Sequence, residues 1–181
     1  PADCLAAYRW LLSQGTRPQD VVIAGDSAGG NLTLTTLMAL RDAGEPLPAA
    51  AVCISPATDL AATGESFWTK KDPVQTPEFV LAMRRLYAGD MDLRSPALSP
   101  LYGDLRGLPP LLIHAGGDEM LLSDATRLAA KARAAGVDVR LDVYPRMWHV
   151  WHLFVPTLPE ARRAVAAIGA FIRERIASVT T

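Results

Sequence analysis

Cysteine is scarce in this chain: Cys4 and Cys53 are the only two in 181 residues. They are too few and too far apart for a disulfide framework or a zinc ligand set. Both read as small hydrophobes in a reducing, cytoplasmic compartment. There is no excess of positive charge either, since 18 Lys plus Arg face 19 Asp plus Glu. Nothing in that balance draws in a phosphate backbone, so nucleic acid is not an expected partner. No apolar run approaches bilayer length, and the opening Pro1-Ala2-Asp3-Cys4 lacks a basic segment followed by a signal-type apolar stretch. Neither a membrane span nor secretion is indicated. Histidine is limited to His114, His149 and His152.

Half of the residues are hydrophobic, and the length suits a single domain, 1–181, with a substantial core. Strand and helix signals alternate without an internal repeat, which predicts an α/β fold with a mainly parallel sheet. An opening helix carries Leu5, Tyr8, Leu11 and Leu12. Strands are predicted at Val21–Ala24, Ala50–Ser55, Leu111–Ala115 and Val139–Tyr144. Helices are predicted from about Gly30 to Ala43, from Ser123 as N-cap to Ala135, and over Pro159–Ala177. Between the second and third strands, residues 57–110 form a long, Pro-rich connection with one clear helix, Glu78–Ala88. Connections of that length inside a compact domain are usually functional.

Gly25-Asp26-Ser27-Ala28-Gly29 joins the first strand to the following helix. A serine pinned on such a sharp turn is a candidate nucleophile, with small residues expected at Gly25 and Gly29, where strand and helix crowd together. A serine hydroxyl needs an imidazole to take its proton and an acid to orient that imidazole. His114 lies inside an apolar strand and reads as a core histidine. His149 and His152 follow the fourth strand, at the carboxyl end where chemistry gathers in open α/β sheets. His149 is nearer the strand and is favoured as base. For the acid, Asp118 follows the third strand directly, with Glu119 and Asp124 as rivals; Asp124 also reads as a helix-start anion. The order Ser, Asp, His is the one associated with α/β hydrolases.

The chain resembles the hormone-sensitive-lipase-like family of α/β-hydrolase esterases. The matching stretches are collinear: Gly25 to Asn31, Ser55 to Leu60, Ser99 to Leu101, Gly107 to Ile113, Gly117 to Leu122, and Met147 to Trp151. The resemblance implies Ser27 as nucleophile, His149 as general base and Asp118 as orienting acid. It also implies hydrolysis of short-chain carboxylic esters without a metal or organic cofactor. Amidase or acyltransferase chemistry would share the acyl-serine intermediate, and a ligand-binding relative that has lost catalysis would share the fold. Within the connection, Phe67, Trp68, Phe79, Met83, Leu86 and Tyr87 are expected to supply pocket walls or cap packing, with Trp68 and Met83 as substrate-binding residues. Asp26 and Asp59 are expected to organise loops around the site.

One departure stands out. The family's His-Gly-Gly-Gly stretch, which supplies most of the oxyanion hole, is absent, leaving the N–H of Ala28. Loss of one such donor costs about 2.7–4 kcal/mol in the transition state. The expectation is a C-terminal portion of the fold, lacking the N-terminal strands and completed by upstream polypeptide. The exposed final helix and strand also leave room for a homodimer.

Overall fold

The computed structural model describes residues 2–177. Four short runs form strands: β1 (Val22–Asp26), β2 (Ala50–Ile54), β3 (Leu111–Gly116) and β4 (Val139–Tyr144). All are parallel and lie side by side in chain order. The two central strands are almost wholly buried, and the two edge strands are partly exposed. Burial on both faces explains why Ala50-Ala51-Val52-Cys53 and Leu111-Leu112-Ile113 read as unbroken apolar runs.

Among the described residues six helices accompany the sheet: α1 (Ala2–Ser13), α2 (Ala28–Asp42), α3 (Ser66–Thr69), α4 (Pro77–Ala88), α5 (Leu122–Ala134) and α6 (Pro159–Ala177). Successive strand residues face opposite ways, so the core splits in two. Ala51, Cys53, Leu111 and Ile113 pack with Leu34 and Leu37 of α2 and Leu128 and Ala132 of α5. Ala50, Val52 and Leu112 pack with Phe171 and the partly buried Ile168 and Ile172 of α6. The result is an α/β sandwich with α2 and α5 on one face and α6 on the other. Among the described residues no helix is long and apolar enough to cross a membrane.

Two local expectations shift. The helix expected from an N-cap at Ser123 starts two residues earlier, with Leu121 at the cap. The Ser123 hydroxyl instead accepts the Ser66 N–H at 3.0 Å. The connection holds more order than the one helix predicted, with the single turn α3 and a 3-10 turn at Pro100–Tyr102 in addition to α4. α4 begins at Thr76, whose hydroxyl caps the Phe79 N–H, with Pro77 in its first turn.

The register sets up the site. Asp26 pairs with Ile54, Ile54 with His114, and His114 with Asp142. One row therefore crosses the sheet near its carboxyl edge, and the loops that follow emerge side by side.

Candidate active site

β1 ends at Asp26 and α2 begins at Ala28, so Ser27 alone makes the turn, at φ 52° and ψ −114°. Positive φ is strained for an L residue and persists only where surrounding bonds enforce it. Here the Ser27 N–H donates to Ile54 O at 2.8 Å, and its carbonyl accepts from Asn31 N–H at 3.2 Å and Ala57 N–H at 3.1 Å. A Cβ at Gly25 would lie 2.3 Å from the Gly29 carbonyl carbon and oxygen, so the turn closes only on glycine there. Gly29 differs from expectation: a Cβ on it meets nothing within 4 Å. The crowded neighbour is Gly30, whose Cβ would sit 2.8 Å from Pro56 Cβ. Asp26 and Ala28 are exposed on either side of the turn. The Ala28 N–H belongs to the first turn of α2, whose donors lack intrahelical acceptors.

His149 lies on the loop after β4. Its backbone N–H donates to Asp72 Oδ2 at 3.0 Å, and its ring is buried. Burial lowers its pKa, while the carboxylates of Asp72 and Asp26 oppose that shift. Nδ1 stands 3.8 Å from Glu119 Oε2. Among the described residues Nδ1 has no hydrogen-bond partner, and neither has the Ser27 hydroxyl. His152, the alternative base, is engaged elsewhere: its Nε2 lies 3.1 Å from Nδ1 of the fully buried His114.

The structure does not bring Asp118 to His149. The Asp118 side chain is 54% exposed, with its carboxylate 3.4 Å from Lys70 Nζ. The next residue, Glu119, is the one beside the imidazole, and its side chain is fully buried. Gly116 ends β3 so close to the histidine loop that a Cβ would meet Met147 O at 2.3 Å. The Asp118 N–H then donates to the same carbonyl at 2.9 Å. On so tight a turn, consecutive side chains fall on opposite sides, one in water and one in the core. Ser55 Oγ donates to Glu119 Oε2 at 2.6 Å. Burial pushes the Glu119 carboxyl up to about 8, opposed by the Ser55 hydrogen bond. Asp72 carried no signal in the sequence beyond its place in the long connection, and Ser55 was marked only as a strand end and the start of a family-matching stretch.

A family model described as the alpha/beta hydrolase fold matches residues 1–153. The chain belongs to that family. An acetyl-hydrolase of Streptomyces hygroscopicus is 50% identical over 173 residues, covering 94% of this chain and 58% of that protein. An esterase of Acinetobacter venetianus is 38% identical over 167 residues, covering 91% and 55%. A crystal structure of an esterase from the bacterial hormone-sensitive lipase family matches with TM-score 0.95 at 52% identity, covering 97% and 60%. EstE5 soaked with p-nitrophenyl butyrate matches with TM-score 0.92 at 48% identity, covering 96% and 59%. These matches assign the chain to the hormone-sensitive-lipase-like esterase family, and it spans under two thirds of the length of those relatives.

Beside Ser27 the chain has a cavity of about 330 Å³, walled by Phe79, Val80, Met83 and Tyr87 from α4 and by Leu121. Met83 thus lies where a pocket residue was expected, and Trp68 does not. Trp68 is 60% exposed, and its Nε1–H donates to Ala62 O at 2.9 Å outside the cavity. Leu86 also faces solvent, and Phe67 is buried beneath the Arg84 guanidinium. Arg84 ties α4 to the body, donating to Asp59 O at 2.8 Å with Asp124 Oδ2 at 3.9 Å. Asp124 is more than a helix-start anion, because it is buried and accepts the N–H groups of Thr58 and Asp59 at 2.8 and 2.9 Å. Asp59 accepts from Thr63, Tyr102 and Arg127, fixing the loop after β2.

The elbow geometry separates its two outer glycines. Gly25→Ala drives a methyl into backbone and should displace Ser27, cutting kcat at least about a hundredfold, whereas Gly29→Ala should leave kcat within about threefold. Ester-hydrolysis kinetics on the two purified variants check this, and equal losses in both would contradict it.

Proposed function

We propose that the whole protein is a serine carboxylesterase for short-chain acyl esters, with Ser27 as nucleophile, His149 as base and Glu119 as orienting acid. The observation that carries this reading is the strained Ser27 at an apolar cavity, with a buried imidazole–carboxylate pair on the neighbouring strand ends. The names of the relatives, an acetyl-hydrolase and esterases, favour the same chemistry. Glu119 replaces Asp118 as the acid because an orienting carboxylate must reach Nδ1, and Asp118 is held in water by Lys70.

Ser27 Oγ attacks the ester carbonyl carbon while His149 Nε2 takes its proton. The C–O bond of the tetrahedral intermediate then breaks, and His149 returns the proton to the departing alcohol. Water, deprotonated by His149, attacks the acyl-serine and releases the acid. Glu119 accepts the Nδ1–H and stabilises the imidazolium. The base–nucleophile contact tightens when substrate fills the cavity, as apo sites are commonly looser than their complexes. Ala28 N–H is one oxyanion donor. The other donors come from polypeptide upstream of Pro1, a reading supported by the share of each relative left unmatched and by β1 standing at the sheet edge.

Four experiments test this. Intact-protein mass spectrometry of the full-length protein with a fluorophosphonate probe should show one adduct, lost in Ser27→Ala; no adduct on the full-length protein would overturn the reading. Glu119→Gln should lower kcat on the order of a thousandfold or more, while Asp118→Asn stays within about twofold, as for a surface ion pair. Both Glu119 and His149 must be deprotonated before attack, and the higher of their pKa values governs. The rate should therefore fall with acidification through about 8, rather than at the 6.5 of a free imidazole. A rate flat with pH across that range would count against the pair. Finally, Met83→Ala should extend the acyl-chain preference on a p-nitrophenyl ester series and Trp68→Ala should not; an unchanged profile in Met83→Ala removes α4 from the pocket.

A further inference from the structure

We infer that Ser55 is a positioning residue for the hydrolysis, its hydroxyl fastening the acid Glu119 to the loop that carries His149. The inference rests on the triad reading above. Ser55 follows β2 directly, is fully buried, and adopts φ 46°. Its N–H donates to His114 O at 2.8 Å, which anchors it to the next strand. Its Oγ accepts the Val150 N–H at 3.2 Å and donates to Glu119 Oε2 at 2.6 Å. A serine hydroxyl has one proton. Because the Val150 N–H arrives as a donor, that proton is directed to the carboxylate.

The acid end of this bridge has little else to hold it, and the other end carries backbone strain. Ser55 is the one side chain hydrogen-bonded to the Glu119 carboxylate among the described residues, and Glu119 Oε1 is buried without a partner. Val150 follows His149 immediately and is left-handed, at φ 51° and ψ 39°, a conformation rare for a β-branched residue. One oxygen atom therefore holds both the acid and the strained turn beside the imidazole. A hydrogen bond donated to a carboxylate also favours its charged form, opposing the burial that raises Glu119. Ser55 thereby aims the acid and opposes its protonation without touching substrate.

The test uses full-length enzyme carrying Ser55→Ala or Ser55→Gly, followed by p-nitrophenyl butyrate hydrolysis across pH and by thermal unfolding. Both variants should lower kcat about ten- to hundredfold, the worth of one hydrogen bond to a charged group, with KM within about twofold. The acid limb of kcat/KM should move to higher pH as Glu119 loses its donor. Ser55→Gly relieves the positive φ and should melt no lower than Ser55→Ala, yet recover no kcat. In a Glu119→Gln background, Ser55→Ala should cost nothing further. A folded variant with the wild-type kcat and pH profile overturns the proposal, and so does failure of both variants to fold, since Ser55 is then purely structural. Full activity in Glu119→Gln overturns the acid assignment and Ser55's role together. An inactive Glu119→Gln beside unaffected Ser55 variants overturns Ser55's role alone.

Discussion

The carboxyl end of β2 is the constraint on which the candidate site depends. Ile54 O receives the Ser27 N–H, Ser55 N–H reaches across to β3, and Ser55 Oγ joins the loops after β3 and β4. In a parallel sheet every strand delivers its following loop at the same edge, and a central strand has neighbours on both sides. β2 pairs with β1 on one side and β3 on the other. A one-residue slip at β2 would therefore misplace Ser27 and Glu119, the proposed nucleophile and acid, together. The near-complete burial of β2 penalises such a slip, because it would exchange the residues facing α2 and α5 with those facing α6.

The same edge concentrates unfavourable features. Of five non-glycine residues at positive φ, Ser27, Ser55 and Val150 lie in or next to the site. Strain of this kind costs about 1–3 kcal/mol per residue. Glu119 adds a carboxyl that burial pushes from the ordinary 4.5 up to about 8. A raised acid pKa means the folded state binds more protons than the unfolded state between those values, so its burial lowers stability as pH climbs through that window. The opposing contribution is the apolar packing on both faces of the sheet. The site is held in a high-energy arrangement by a core that never contacts substrate, as expected of an active site.

The strands and the main helices were legible because their signals are periodic and local. All four strands fall within two residues of the expected bounds, and α6 and β4 match them. The elbow was legible too, since Gly25 and Ser27 are fixed by the same tight turn. What escaped was set by side-chain direction rather than type. Asp118 and Glu119 are chemically interchangeable as acids, and only the turn at Gly116 decides which enters the core. Glu119 is followed by Met120 and Leu121, both buried; that apolar neighbourhood was the available hint. Asp72 was hidden for another reason, because it holds His149 through the backbone N–H, a bond to which residue identity gives no clue.

The long connection between β2 and β3 is built into the frame of the candidate site. It supplies Asp72 to the His149 backbone and α4 to the cavity wall. Its Ser66 hydroxyl donates to Met120 O and accepts the Ser123 N–H, bracketing the turn that presents Glu119. Arg84 reaches from the cavity wall to the buried loop held by Asp124, so α4 cannot shift without uncovering a buried charge, a loss of about 3–5 kcal/mol when one partner of such a pair is left alone. Pocket shape and acid orientation are thus fixed by the same hydrogen bonds. In such an arrangement the proposed acyl specificity and turnover are not independent variables, because whatever moves α4 also strains the turn that presents Glu119.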